Sequence, residues 1–502
     1  MKRLAAIIGL LVLVLITPLV SSTPTRADTM FTVNSTVDEQ DASPGDGLCA
    51  STPSGGCTLR AAIMEANALA GADTVVVPAG IYTLTIPGTD EEAAVTGDLD
   101  ITSDLTLTGA DANTTMINGN SLDRVMEIRG SVSVTLTDVT LVGGYWQPLL
   151  ATTGGGGLNI DSGTVTLARS VVTGNTAWGC GGIANDDGVL IVSDSIISNN
   201  VSAGFGGGGL CSFQDSVTVL VATTVHSNTT SLGTNLGGGG LFNLGDMTVM
   251  SSTISSNTAA PGGGGIHNQG TLTLTASSVM SNTTPASGGG VYHQCFFCAS
   301  VNFTMTNSTL SHNASGVGGG GLYVYTGTAS LYNVTLVSNT ANAGNGGGLA
   351  QLNGTVSFYH ALIAGNADVS GEAPDASGTF ISQGYNLIQS TSGYTITGIT
   401  VGNLLGINPI LGPLQDNSGP TLTHMLLPGS PAIDAGNPAG CTDHLGNLLT
   451  TDQRGITRPQ GPACDIGAVE RVPDCGTGGL PSSLPFKLYL PLILRGGSNY
   501  CP

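Results

Sequence analysis

The chain has 502 residues, 76 of them glycine and 9% charged, with 12 basic against 33 acidic side chains and a net charge of −21. An apolar share of 40% excludes a solvated coil, which has too little apolar surface to bury, and the acidic excess excludes nucleic acid and anionic membranes as partners. What remains is a packed, glycine-rich chain in which short apolar runs alternate with turns.

The first 27 residues read as an export signal. Lys2 and Arg3 precede an apolar run from Leu4 to about Leu19, and small residues lead to a cleavage point after Ala27 in "TRADT". Pro18 and the shortness of the run argue against a membrane span. A mature chain from Asp28 loses Lys2, Arg3 and Arg26, which leaves 9 basic against 33 acidic residues and a net charge of −24. Ten cysteines in an exported chain are expected to pair as disulfides. Cys49 with Cys57, Cys441 with Cys464 and Cys475 with Cys501 are sequence-local candidates, and Cys180 with Cys211 would staple neighbouring repeats.

At the front, "CTLRAAIMEANALAG" predicts an amphipathic helix with Thr58 as N-cap, Leu59, Ile63 and Ala66 on one face, and Gly71 near the stop. Apolar-alternating runs follow from Val75 to Val142, as in "GDLDITSDLTLTG". From Gly154 a repeat sets in, its blocks beginning at Gly154, Gly179, Gly206, Gly237, Gly262, Ser287, Gly318 and Asn345, at intervals of 25, 27, 31, 25, 25, 31 and 27 residues. Each copy closes on an Asn: Asn175, Asn200, Asn228, Asn257, Asn282, Asn313, Asn339 and Asn366.

Three residues before that Asn every copy is apolar (Val172, Ile197, Val225, Ile254, Val279, Leu310, Leu336, Ile363), and eight before it apolar again. Steps of two within a pair mean strands, and the step of three between pairs means a corner. The apolar residue after each glycine block, such as Leu241 or Ile266, supplies a third inward position. Three short strands per turn, stacked turn on turn, predict an all-β right-handed parallel β-helix, with eight such coils at about 4.8 Å making a rod of roughly 40 Å. Glycine suits the corners, and the recurring Asn is expected to take the left-handed conformation and to pass amide hydrogen bonds between coils. The helix is expected to cap the front. After Asn366 the period fades, so 367–470 is expected to form an irregular C-terminal cap. The layout is thus 1–27 signal peptide, 28–72 N-terminal cap, 73–366 β-helix, 367–470 C-terminal cap and 471–502 tail.

Two stretches resemble known bacterial modules. Residues 31–68, "FTVNSTVDEQDASPGDGLCASTPSGGCTLRAAIMEANA", resemble the CSLREA domain. Its Cys-Ser-Leu-Arg-Glu-Ala run stands here as Cys57-Thr58-Leu59-Arg60-Ala61-Ala62, with "PGDG" and "EAN" retained. The rear segment "INPILGPLQDNSGPTLTHMLLPGSPAIDAG", followed by "TDQRGITRPQGPACDIGAVE", resembles the choice-of-anchor Q domain. The resemblance implies an exported right-handed parallel β-helix, of pectin-lyase-like fold, and carries no catalytic residues. The tail "SSLPFKLYLPLILRGGSNYCP" is similar to short sorting or attachment signals on surface proteins.

A lyase acting beside a uronate needs a cationic base near calcium-binding carboxylates, yet no Lys or Arg occurs between Arg169 and Arg454. Asp186 and Asp187 in "NDDG", with Asp215 on the next coil, are the nearest approach to a hydrolase set. Asp98, Asp100 and Asp104 lie close in sequence, and alternation puts Asp98 and Asp100 on one strand face as a candidate calcium site. His293, Cys295 and Cys298 have the residue types of a zinc site, although an exported Cys-x-x-Cys favours a disulfide. His226, His267, His312 and His360 occur singly and read as surface or stacked coil residues. "TLTLT" at 271–275 is flanked by "DMTVM" and "VNFTMT", so no flat threonine lattice is expected.

No catalytic, cofactor-binding or metal residue is therefore assigned, and no cofactor is expected beyond the calcium candidate. The expected function is that of an exported, cell-surface or secreted structural or adhesive rod, monomeric, contacting glycans or other surface polymers. Its contact elements would be the insertions "CSFQDSVTVLV" and "YHQCFFCASVNF" with Trp146, Trp178, Tyr292, Phe296, Phe297, Tyr323 and Tyr325. The alternative is a polysaccharide-degrading enzyme, a lyase or glycoside hydrolase, on the same fold.

Overall fold

A computed structural model describes residues 28–472 apart from 90, 148–153, 232–236, 261 and 296–300. The export signal, the tail from 473 onward with its Cys475–Cys501 pair, and Phe296, Phe297 and Cys298 lie outside the described residues.

One repeat shows how the sequence makes a coil. After the glycine block come a three-residue strand Leu241–Asn243, a five-residue strand Asp246–Met250, a three-residue strand Thr253–Ser255 and a two-residue strand Thr258–Ala259. Alternation in the five-residue strand buries Met247 and Val249, and Ile254 is buried from the next. Each strand pairs in parallel with its counterpart one repeat on, Leu241 with Ile266, Met247 with Leu272, Ile254 with Val279 and Thr258 with Thr283. The fold is therefore the expected parallel β-helix, with a short fourth strand per coil that the spacing did not announce. Three faces run the length of the rod, one of them a 13-stranded sheet, and the two-residue strands line up in a fourth, nine-stranded one.

The inward residues fuse into one apolar column from Phe31 and Val33 through Ile183, Leu241 and Leu310 to Phe380 and Ile388. No single coil can bury its own apolar face, so neighbours stabilise one another in series. Two corners per coil are left-handed. In the Leu241 coil they are Ser251 (φ 49°) and Ser256 (φ 55°), and in the next Ala276 (φ 49°) and Ser281 (φ 56°). The strained residue is thus the one before each ladder Asn, not the Asn as expected. The Asn does pass the expected bonds. Asn257 Nδ2 donates to Asn282 Oδ1 at 3.0 Å and to the Val225 carbonyl at 3.0 Å, and the chain of amides runs from Asn175 to Asn366 and ends on Asp375 Oδ1.

The glycines serve close approach. A Cβ on Gly238 would stand 1.9 Å from the Leu241 carbonyl oxygen, so no other residue fits where the block crosses back over its own strand.

Helix α1, Leu59–Ala68, has Thr58 as its N-cap, whose Oγ1 accepts from Ala61 N–H at 3.1 Å. It buries Leu59, Ile63 and Ala66 against the first coils and stops at Ala68, three residues short of Gly71. Arg60 is buried too. It pairs with Asp38 at 2.6 Å and donates to the carbonyls of Ala94, Gly97 and Asp98. Glu65 accepts the N–H groups of Gly45 and Gly47, which ties "EAN" to "PGDG".

Beyond Asn366 the stack continues despite its fading period, since Ala376–Gln383 pairs in parallel with Tyr394–Ile399, and Leu387–Ile388 with Leu404–Leu405. The remaining chain folds back along the rod. An antiparallel pair, Leu411–Gln415 with Thr423–Leu426, leads to loops fastened by Gln453, which accepts from Thr309 Oγ1 at 2.6 Å and donates to Ser278 Oγ at 3.0 Å. Disulfides join Cys49 to Cys57, Cys180 to Cys211 and Cys441 to Cys464.

Candidate functional site

The three-residue strand after each glycine block opens on a buried apolar residue, and its central residue points away from the core. Register places these centres in one column: Asp100, Glu127, Asn159, Ala184, Cys211, Phe242, His267, Tyr292, Tyr323 and Ala350. The glycine blocks roof part of it. Gly155 N–H donates to Asn159 Oδ1 at 3.1 Å, and Gly237 N–H to His267 Nδ1 at 3.1 Å. The column is therefore buried at most rungs without belonging to the apolar core.

Its first rungs are charged. Glu127 receives Arg124 Nη1 at 2.8 Å on one oxygen and Arg129 Nη1 at 3.2 Å on the other. Asn159 Nδ2 bridges Glu127 Oε1 at 2.8 Å and Asp161 Oδ1 at 2.9 Å. Arg129 also reaches Glu92 at 2.9 Å and Asp161 at 3.7 Å on the solvent side. Arg124 lies 4.5 Å over the Trp146 ring and 3.5 Å from Asp98 Oδ2. Asp100 Oδ2 accepts Ala94 N–H at 2.9 Å. Asp98 and Asp100 are 3% and 0% exposed. Burial pushes both carboxyls up, Asp98 well above its ordinary value with help from the Asp100 charge, and Asp100 to about 7.

The later rungs are aromatic. Phe213 meets Phe242 edge-on at 6.4 Å, Phe242 meets His267 at 5.4 Å and His267 meets Tyr292 at 5.0 Å, while Tyr292 and Tyr323 stack at 5.5 Å with 12° between planes. Both tyrosines and Tyr325 are half-buried. Beneath them His267 and His293 are buried, and desolvation depresses each to about 4. His267 Nε2 faces the Gln294 amide nitrogen at 2.7 Å, and His293 Nδ1 faces the Asn268 amide nitrogen at 2.9 Å.

Several sequence candidates are not brought together. Asp104 is exposed and accepts Ser133 N–H, so Glu127, not Asp104, completes the group with Asp98 and Asp100. Asp187 and Asp215 are exposed turn residues, and register pairs Asn185 with Ser212, which leaves Asp215 displaced from Asp186 and Asp187. Cys295 is oxidised in a disulfide, which removes the thiolate a zinc site needs. The bridge Cys441–Cys464 does the same for the cluster it forms with His360.

Trp146 is not a contact residue, being 7% exposed beneath Arg124. His267 is one of the stacked coil residues, buried between Phe242 and Tyr292, and His360 is buried as well. Threonines do align on the five-residue face, Thr248, Thr273 and Thr304 in register, but Asp246 pairs with Thr271 beside them. Arg124, Glu127, Arg129, Asn159 and Asp161 were missed, although the triplets Leu99-Asp100-Ile101, Met126-Glu127-Ile128 and Leu158-Asn159-Ile160 carry the signal that aligns three of the rungs.

No family model matches the chain, and no curated protein does. Among solved structures it is similar to pectate lyase Pel9A, at 13% identity and a TM-score of 0.43 over 89% of this chain and 98% of that one. It is similar also to the A-module of the Azotobacter vinelandii mannuronan C-5 epimerase AlgE4, at 13% identity and a TM-score of 0.38 over 70% and 92%. A third is the catalytic unit of a GH87 alpha-1,3-glucanase from Streptomyces thermodiastaticus strain HF3-3, at 17% identity and a TM-score of 0.33 over 73% and 67%.

Proposed function

We propose that the chain is an exported, cell-surface or secreted structural and adhesive rod, monomeric, whose tyrosine-bearing side contacts glycans or other surface polymers without cleaving them. The observation that carries this reading is the stacked pair Tyr292 and Tyr323 beside Tyr325, half-buried on rigid strands. An amphipathic ring held in place by a backbone ladder offers a sugar both a face and a hydroxyl at small entropic cost.

Export is supported by the amino-terminal run, by the CSLREA-like front and choice-of-anchor Q-like rear, and by bridges suited to an oxidising compartment. Among the described residues no helix is long and apolar enough to cross a membrane.

The enzyme alternative has Asp186 and Asp187 with Asp215, which register leaves displaced from them, and the buried pair Asp98 and Asp100. A general acid must reach the proton it moves, and these carboxyls are 3% and 0% exposed, so their raised pKa values serve the interior.

The test is retention of neutral and acidic polysaccharides on the immobilised mature chain. Tyr323→Ala is expected to weaken retention by about 1 kcal/mol, roughly fivefold, with an unchanged circular dichroism spectrum. A variant that unfolds, or one that stays folded and retains glycan as before, makes the ring a packing element and ends the reading.

A further inference from the structure

We propose that Asp98, Asp100 and Glu127 hold one hard divalent cation, calcium by class, at the charged end of the outward column. One carboxylate oxygen from each of the three lies within 4.8 Å of the other two. Calcium takes oxygen ligands at about 2.3–2.6 Å, so two oxygens on one ion stand at most about 5 Å apart. Asp100 and Glu127 are register partners on adjacent coils, and Asp98 precedes Asp100 by two residues on the same side, so the backbone fixes the group before any ligand arrives.

A second observation is independent of this clustering. Asp98 Oδ2 and Asp100 Oδ1 are buried and receive no hydrogen bond. An ionised carboxylate oxygen left so in an apolar interior is costly unless a cation or a proton meets it. The neighbouring charges do not suffice. Among the described residues, Asp98, Asp100, Glu127, Asp123, Asp161, Glu91 and Glu92 face only Arg124 and Arg129, because Arg60 is spent on Asp38 and on carbonyl oxygens. Glu127 has both oxygens on arginines and Asp98 Oδ2 has Arg124 Nε at 3.5 Å, while Asp100 Oδ1 is met by neither.

The ion would sit where the head of the rod is assembled. Arg60 of α1 donates to the Ala94, Gly97 and Asp98 carbonyls, and Asn67 Nδ2 donates to the Asp100 carbonyl at 2.7 Å. Binding would therefore lock the segment 91–101 between the capping helix and the second and third coils. This inference stands apart from the glycan reading.

The experiment is a calcium titration of the EDTA-stripped mature chain at pH 7.5, read by isothermal calorimetry and by thermal unfolding. One saturable site per chain is expected, in the range of about 10⁻⁴–10⁻³ M typical of extracellular modules, with a higher unfolding midpoint when it is filled. Asp100→Asn should weaken binding at least tenfold, Asp98→Asn likewise, and Asp104→Asn should leave it unchanged. Only weak, unsaturable binding equal in all variants would be counterion association with an acidic chain and would overturn the proposal. So would absence of binding together with an Asp100→Asn midpoint above that of the unsubstituted chain, because the two aspartates then share a proton. Should either variant fail to fold, the titration of the unsubstituted chain decides, since it must show the single site.

Discussion

His360 sits where the returning chain lies on the rod. Its Nε2 accepts Asn437 N–H at 2.8 Å, and burial, with the Arg458 charge, lowers it to about 3. In the unfolded chain a histidine titrates near 6.5. The contribution of the neutral ring is thus whole above pH 6.5 and is lost as pH falls from there toward 3, because the unfolded state binds the proton first. His360→Gln, which keeps an acceptor, is expected to flatten the unfolding midpoint against pH over this window relative to the unsubstituted chain. A profile that runs parallel in the two proteins would contradict the assignment. Asp100 and Asp465, raised by burial to about 7, act with the opposite sign, their contribution whole below about pH 4 and lost as pH rises through 7. At this scale the Asn ladder was legible, because one residue type recurs at one offset. The left-handed corners were not, since Ser251, Ala276, Asn307 and His360 share that backbone conformation without sharing chemistry.

Among the elements, α1 shows how a short motif is held. Arg60 of its first turn satisfies Asp38 and three carbonyls from the chain ahead of the second coil. Removing one partner of a buried ion pair costs roughly 3–5 kcal/mol, so Arg60→Leu is expected to lower the stability of the front of the rod by about that much. Proteolysis near residues 36–97 should appear first, and urea unfolding should gain an early phase. A single transition at the unsubstituted midpoint would contradict the role. The helix was readable from Thr58 and its apolar face, and the rod from offsets of two and three.

The outward column was not read, although its triplets were in view, because the centres change chemistry at every few rungs, from carboxylates through Asn159 and Cys211 to rings. Nor was the return of the chain after Leu411. It is fastened by single contacts such as Asn307 Nδ2 to the Thr451 carbonyl at 2.8 Å and Asn333 Nδ2 to the Thr442 carbonyl at 3.1 Å, which leave no period behind.

Over the described residues the molecule is a stiff stack with a charged head, a tyrosine-bearing flank and a returning segment, 411–472, folded along its side. Continuous burial from Phe31 to Ile388 and a continuous amide ladder from Asn175 to Asn366 make neighbouring coils interdependent. The measurement that tests the central claim is release of new reducing ends from neutral and acidic polysaccharides by the purified mature chain, with and without calcium, scored beside retention of the same polymers. The account predicts retention without release in both conditions. Release of reducing ends, above all release that requires calcium and is lost in Asp100→Asn, would contradict it and turn the charged head of the rod into an active site.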